Sequence, residues 1–189
     1  TGKFYGQGHK IVNLYINRSD EGNVGLFGVL YGEVRDLGIE NAMVSGGNRV
    51  SVLVGCNIGM VSGCYSTGSV SGDEDVGGLV GDNYGTVAGC YSTGSVSGRE
   101  VVGGLVGENY YGTVSNSFAM GSVTGTSKYI GGLIGYLVSG SVTNTYSTGL
   151  VGGSGSNKGG LIGHIYINPI VTSSYWNTQT SGMTTSAGG

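Results

Sequence analysis

The sequence predicts an all-β chain, a right-handed parallel β-solenoid of about six coils with 26–28 residues per coil. Three observations predict it. An apolar doublet set among glycines returns at a nearly fixed interval. A second apolar position follows each doublet at a near-constant distance. Nowhere does a helical period persist over 11 residues.

The first landmark is a leucine, at Leu26, Leu53, Leu79, Leu105, Leu133 and Leu161, with spacings of 27, 26, 26, 28 and 28 residues. An apolar residue always follows (Phe27, Val54, Val80, Val106, Ile134, Ile162), and then a glycine. Eight to ten residues after the leucine comes Val34, Val61, Val87, Val114, Val142 or Val171. Asn41, Gly63, Gly89, Asn116 and Asn144 come next, residue types that tolerate a left-handed backbone and are read as corners. A row of large residues follows at Met43, Tyr65, Tyr91, Phe118, Tyr146 and Tyr175, and a last short strand is centred on Val70, Val96, Val123 and Val151. Three short strands cannot close a core alone, so each repeat must stack on its neighbours. Stacking in register sets each landmark about 4.8 Å above its predecessor, which makes six coils a rod of roughly 30 Å. The leucines are expected to be buried in one file of parallel strands.

The whole chain, 1–189, reads as one solenoid domain. Residues 1–24 form an opening coil in which Ile11, Leu14 and Ile16 begin the core, 25–182 hold the repeats, and 183–189 form a polar tail expected to be poorly ordered. Tyr175 and Trp176 are bulky where earlier coils have Tyr-Ser or Phe-Ala, and are expected to cover the last coil.

Glycine supplies 42 of the 189 residues, a level that ordinarily goes with low complexity, but evenly spaced apolar residues argue against disorder here. Charged residues make up 10% and the net charge is −3, so there is no basic patch and nucleic acid is not expected as a partner. No apolar run reaches the roughly 18 residues of a membrane span. Three cysteines, Cys56, Cys64 and Cys90, do not make a disulfide framework. The chain starts abruptly at Thr1, so a removed leader or a segment of a longer protein is expected.

Chemistry-bearing groups are few. His9 and His164 are far apart and neither His-Glu-x-x-His nor Cys-x-x-Cys occurs, so no zinc site is expected. The Gly-x-Ser stretches read as turns and not as a nucleophile elbow. Asp82 and Glu108 share one repeat position, which would bring their Cα atoms to about 5 Å. Such a pair suits a retaining glycosidase or, with Asn83 and Asn109, calcium. The reading preferred is two solvated corner carboxylates, because no second polar cluster is visible beside them. No catalytic, metal or cofactor-binding residue is assigned. Asn57, Asn83 and Asn109 also align and are read as a ladder of side-chain amides. Cys64 and Cys90 align in a row of small residues with Ala42, Ser117, Thr145 and Ser174, and are expected as free or partly oxidised thiols. Asp73 stacks over Arg99 as an ion pair worth at most about 1 kcal/mol if exposed.

Adjacent side chains of a strand point to opposite faces, so Leu79 and Val80, or Cys90 and Tyr91, cannot both face inward without a bend. Either glycine bends bury both rows, or an apolar or aromatic stripe stays outside. In the second case Tyr65, Tyr91, Phe118 and Tyr146 form a contact row.

The stretches GGLVGDNYGTVAGCYSTGSVSG (Gly77 to Gly98) and GGLVGENYYGTVSNSFAMGSVTG (Gly103 to Gly125) resemble the GLUG motif, named for its Gly-Leu-any-Gly core. Phe4 to Asn17 and Ser174 to Gly189 resemble the segments that flank such arrays. Gly25-Leu26-Phe27-Gly28 departs from the pattern in lacking the doubled glycine, and Val52 stands where glycine is usual. The resemblance implies a β-helix in an extracellular or cell-surface setting, as in filamentous-haemagglutinin-like adhesins and the non-catalytic regions of IgA-specific metallopeptidases. It carries no catalytic residue. The expected function is a non-catalytic structural or adhesive module of a larger secreted or surface protein. Expected partners are neighbouring solenoid copies or domains of the parent protein, with a host surface or glycan as a further candidate. The alternatives are a stand-alone subunit of an extracellular fibre and a carbohydrate-active β-helix enzyme.

Overall fold

The computed structural model describes residues 2–187. Its strands stack into three sheets of seven, six and fourteen strands, and every strand pairing among the described residues is parallel. One coil shows the plan: Val80–Asn83 lies in the six-stranded sheet, Thr86–Ala88 in the seven-stranded one, and Tyr91–Ser92 and Ser95–Gly103 in the third. The predicted all-β parallel solenoid is therefore the observed fold.

The valine file behaves as alternation requires. In Thr86–Ala88 the central Val87 is buried and its neighbours are half-exposed. Val34, Val61, Val87, Val114 and Val142 are all fully buried. The leucine file is equally regular, with Leu53, Leu79, Leu105 and Leu133 at 0% exposure and Leu161 at 2%. Leu26 departs from the expectation. It is only partly buried, because it opens the file and has no leucine beneath it.

The leucines also lie in a bend just before each strand and not in the strand itself, with Leu79 N donating to Leu105 O and Leu53 N to Leu79 O. The bend lets Leu79 and Val80 both enter the core. Gly77 permits it, because a Cβ there would collide with the Val80 carbonyl oxygen.

Left-handed residues turn each coil in two places. One row is Asp36, Gly63, Gly89, Asn116, Asn144 and Ser173. The second is Asn23, Arg49, Asp75, Val101, Tyr129 and Asn157, with φ between 52° and 60° and no glycine. The corner of the first coil is thus Asp36 and not Asn41, which sits in an added kink where the register slips between Ser66 and Gly68. Two rows change as a result. Tyr65 pairs with Gly38, while Met43 pairs with Ser69 and Tyr15 and is no member of the aromatic row. Leu37, not Ala42, takes the place below Cys64.

The last coil is closed by its own tail. Trp176 Nε1 donates to Met183 O at 3.1 Å, and Ser186 Oγ accepts from the Leu161 and Ile162 amides at 3.2 and 2.9 Å. A short helix, Thr178–Ser181, leads there, capped by the Asn177 side chain and ended at Gly182. The polar composition that suggested poor order therefore misled for residues 183–187. Residues 188 and 189 lie outside the described residues. Trp176 covers the coil as expected, but Tyr175 is 68% exposed and does not.

Candidate functional site: an aromatic ladder and an acidic groove

The aromatic row lies on the surface. Tyr65, Tyr91, Phe118, Tyr146 and Tyr175 occupy one register position in successive coils. Within the Cys90-Tyr91 pair, the cysteine is fully buried and the tyrosine faces outward, half-buried. Cys64 and Cys90 are free thiols, as expected, each facing a backbone carbonyl two residues back at 3.3 Å.

The rings of Tyr65, Tyr91, Phe118 and Tyr146 stack at centroid distances of 5.0, 4.8 and 4.8 Å, with interplanar angles of 3°, 2° and 5°. Their faces cover one another, so the surface they offer is a column of edges and hydroxyls. Exposure rises toward the far end, to 41% at Tyr146 and 68% at Tyr175. At the near end the Tyr65 hydroxyl donates to Glu40 at 2.9 Å, and Lys10 Nζ donates to the same carboxylate at 2.8 Å.

The asparagine row is an interior ladder. Asn57 Nδ2 donates to Asn83 Oδ1 at 2.8 Å, and Asn83 Nδ2 to Asn109 Oδ1 at 2.7 Å. The ladder ends on backbone, with Asn109 Nδ2 donating to Gly112 and Ser139 carbonyls, both at 3.0 Å. All three residues are fully buried.

Asp82 and Glu108 stand beside this ladder. They are paired in register as predicted, but within strands and not at corners. Asp82 is not solvated, its side chain being 1% exposed, while Glu108 is half-buried. Asp75, from the second corner row, joins them. One oxygen from each of Asp75, Asp82 and Glu108 lies within 4.8 Å of the others. Gly107 makes the approach possible, because a Cβ there would sit 2.6 Å from the Asp75 carbonyl carbon and 2.8 Å from the Val76 nitrogen. The closing glycine of the block thus seats a strand against the corner of the coil before.

The nearest cation is Arg49, whose Nε is 3.3 Å from Asp82 Oδ2. Neither Asp82 oxygen has a hydrogen-bond partner among the described residues. Burial first, and then the neighbouring carboxylates, pushes Asp75 up to about 8 and Glu108 up to about 7. Burial raises Asp82 to about 6, with Arg49 pulling the other way. A groove of about 440 Å³ opens over the trio, lined by Asn23, Asn48, Arg49, Glu74, Asp75 and Glu108. A glycosidase pair must flank a substrate bond, and Asp82 is sealed from one. Sequence reasoning missed Asp75 and Arg49. The signal was there: Arg49, Asp75 and Val101 each stand four residues before a landmark leucine.

At the same register position Glu108 is followed by Tyr136 and His164, which stack with Tyr129 of the corner row at 4.7 Å each. Neither histidine joins the acids. The exposed Asp73–Arg99 pair forms as predicted, at 2.6 Å.

Residues 72–97 and 98–124 match the family described as the GLUG motif. A stretch of 72 residues, 37% of this chain, is 39% identical to halomucin of Haloquadratum walsbyi, and spans 1% of that protein. The solved structure of a candidate immunoglobulin A1 protease from Bacteroides ovatus superposes with a TM-score of 0.76 at 23% identity, over 92% of this chain and 59% of that one. At that identity the likeness bears on the fold alone. The chain is thus a parallel β-helix that carries two consecutive matches to the GLUG motif, both within its central coils.

Proposed function

We propose that the chain is a non-catalytic structural or adhesive module of a larger extracellular or cell-surface protein. The observation that carries this reading is the ladder construction itself. Its buried polar groups largely serve neighbouring coils, as Asn57, Asn83 and Asn109 do, and its outward aromatics stack on one another. The relationship to halomucin supports an extracellular or surface setting. No helix among the described residues is long and apolar enough to cross a membrane. The protease activity named for the Bacteroides relative is not carried over, since the likeness to it is one of fold.

Contact would run through two places. The exposed strands Lys3–Tyr5 and Tyr15–Arg18 suit a neighbouring solenoid copy or a domain of the parent protein. The open end of the aromatic row, Tyr146 and Tyr175, suits a host surface or glycan, because the row is most exposed there. Replacing Tyr146 and Tyr175 with serine is expected to leave folding intact and abolish binding to cells or immobilised glycans. Undiminished binding would overturn the adhesive reading. Release of reducing sugar from acidic polysaccharides, or cleavage of immunoglobulin A1, would overturn the non-catalytic one.

A further inference from the structure

We propose that Asp75, Asp82 and Glu108 bind a calcium ion in the groove between the second corner row and the six-stranded sheet. The trio supplies hard oxygen ligands, and calcium accepts six to eight of these at about 2.3–2.6 Å in flexible geometry. Oxygens within 4.8 Å of one another can all reach one ion at those distances. A thiol or imidazole set would favour other metals, but the trio has neither. Cys56 lies next to Asp82 in the same register and is not one of the clustered groups.

Asp82 points to the ion independently of the clustering. Its carboxylate is sealed, both oxygens lack a hydrogen-bond donor, and Arg49 Nε approaches one of them without forming a hydrogen bond. Buried charged groups in native proteins are paired or coordinate metals. Three carboxylates against one guanidinium leave two negative charges, which one divalent cation neutralises. The groove gives the ion a way in, past Asp75 and Glu108, with space for water to complete its shell. The site belongs to this stretch of the stack: the corner row holds Arg49, Val101 and Tyr129 in nearby coils, and the strand row holds Cys56, Tyr136 and His164.

Thermal unfolding of EDTA-stripped protein at pH 8, with and without 1 mM calcium chloride, tests this. A rise in Tm of several degrees with calcium, and a smaller one with magnesium chloride, is expected for the wild type and not for an Asp75→Asn, Glu108→Gln variant. Asparagine tolerates the left-handed corner, so this variant keeps its backbone. Should the variant nevertheless fail to fold, terbium luminescence sensitised by Tyr84, a neighbour of Asp82 and Glu108, and its displacement by calcium, reads the site in the wild type. No calcium-dependent shift and no terbium signal would overturn the proposal, and would assign the raised carboxyl groups to bound protons.

Discussion

Asp82 and Asn83 are neighbours in the strand Val80–Asn83, both fully buried, and each is stacked on an acid or an amide one coil above. Their situations are opposite. An amide carries donors and acceptors, so repeating it along the solenoid axis closes a hydrogen bond at every step. An ionised carboxylate only accepts, so repeating it accumulates charge with nothing to hold it. A stacked architecture thus amplifies whatever chemistry a register position has. At Asn83 that amplification stabilises the core, and at Asp82 it creates a demand for a proton or a cation.

The comparison can be broken most severely at the amide. Asn83→Ala leaves Asn57 without its acceptor and Asn109 without its donor, and should cost about 3 kcal/mol in urea unfolding, from buried groups left unpaired and the cavity created. If the ladder were incidental, the loss would fall below about 1 kcal/mol. An uncharged stack on the surface should respond less. Tyr91→Ser removes ring contacts with both Tyr65 and Phe118, for an expected loss of about 2 kcal/mol.

At the acids the sign reverses. In calcium-free buffer at pH 8, Asp75→Asn should stabilise the fold by on the order of 1 kcal/mol, read from the shift in denaturation midpoint. The pH dependence follows the same logic. The folded-state values of Asp75, Glu108 and Asp82, about 8, 7 and 6, lie above the ordinary carboxylate range. The folded protein therefore holds more protons than the unfolded chain between about pH 4 and 8. Stability from these groups rises as pH falls from 8 toward 4 and is lost as pH rises. A Tm measured in EDTA should climb on acidification through that window, and calcium should flatten the slope. The smallest effect belongs to the exposed pair: Arg99→Gln removes the Asp73 contact for less than about 0.5 kcal/mol, which a midpoint shift within error would satisfy.

Most of the architecture was legible because it repeats. The spacing of Leu53, Leu79, Leu105 and Leu133 announces a file, and asparagine at the same place in three coils announces a ladder. The hidden parts break the local signals. Arg49, Val101 and Tyr129 turn the chain at positive φ without being residues that favour it, so composition does not reveal the second corner row. Only its fixed distance of four residues before the leucine marks that row, and without it Asp75 is not brought to Asp82 and the acid pair looks solvated. The first coil was misaligned because its added residue near Asn41 resembles a corner in composition. The tail was misjudged because its order rests on single contacts, such as that of Ser186 with Leu161, which composition cannot reveal.

The closure of the last coil by Trp176 and Ser186 gives the stack a mechanical direction. The strands Lys3–Tyr5, Lys10–Val12 and Tyr15–Arg18 at the opposite end are mostly exposed. Amide protons there should exchange first, and protection should grow coil by coil toward the centre. Under tension the isolated chain should peel from that side, each lost coil releasing about 90 Å of contour length. Rupture forces should remain similar from coil to coil, because each peeling step breaks one set of parallel pairings. A force trace with such evenly spaced steps would describe a ratchet that gives way from one end.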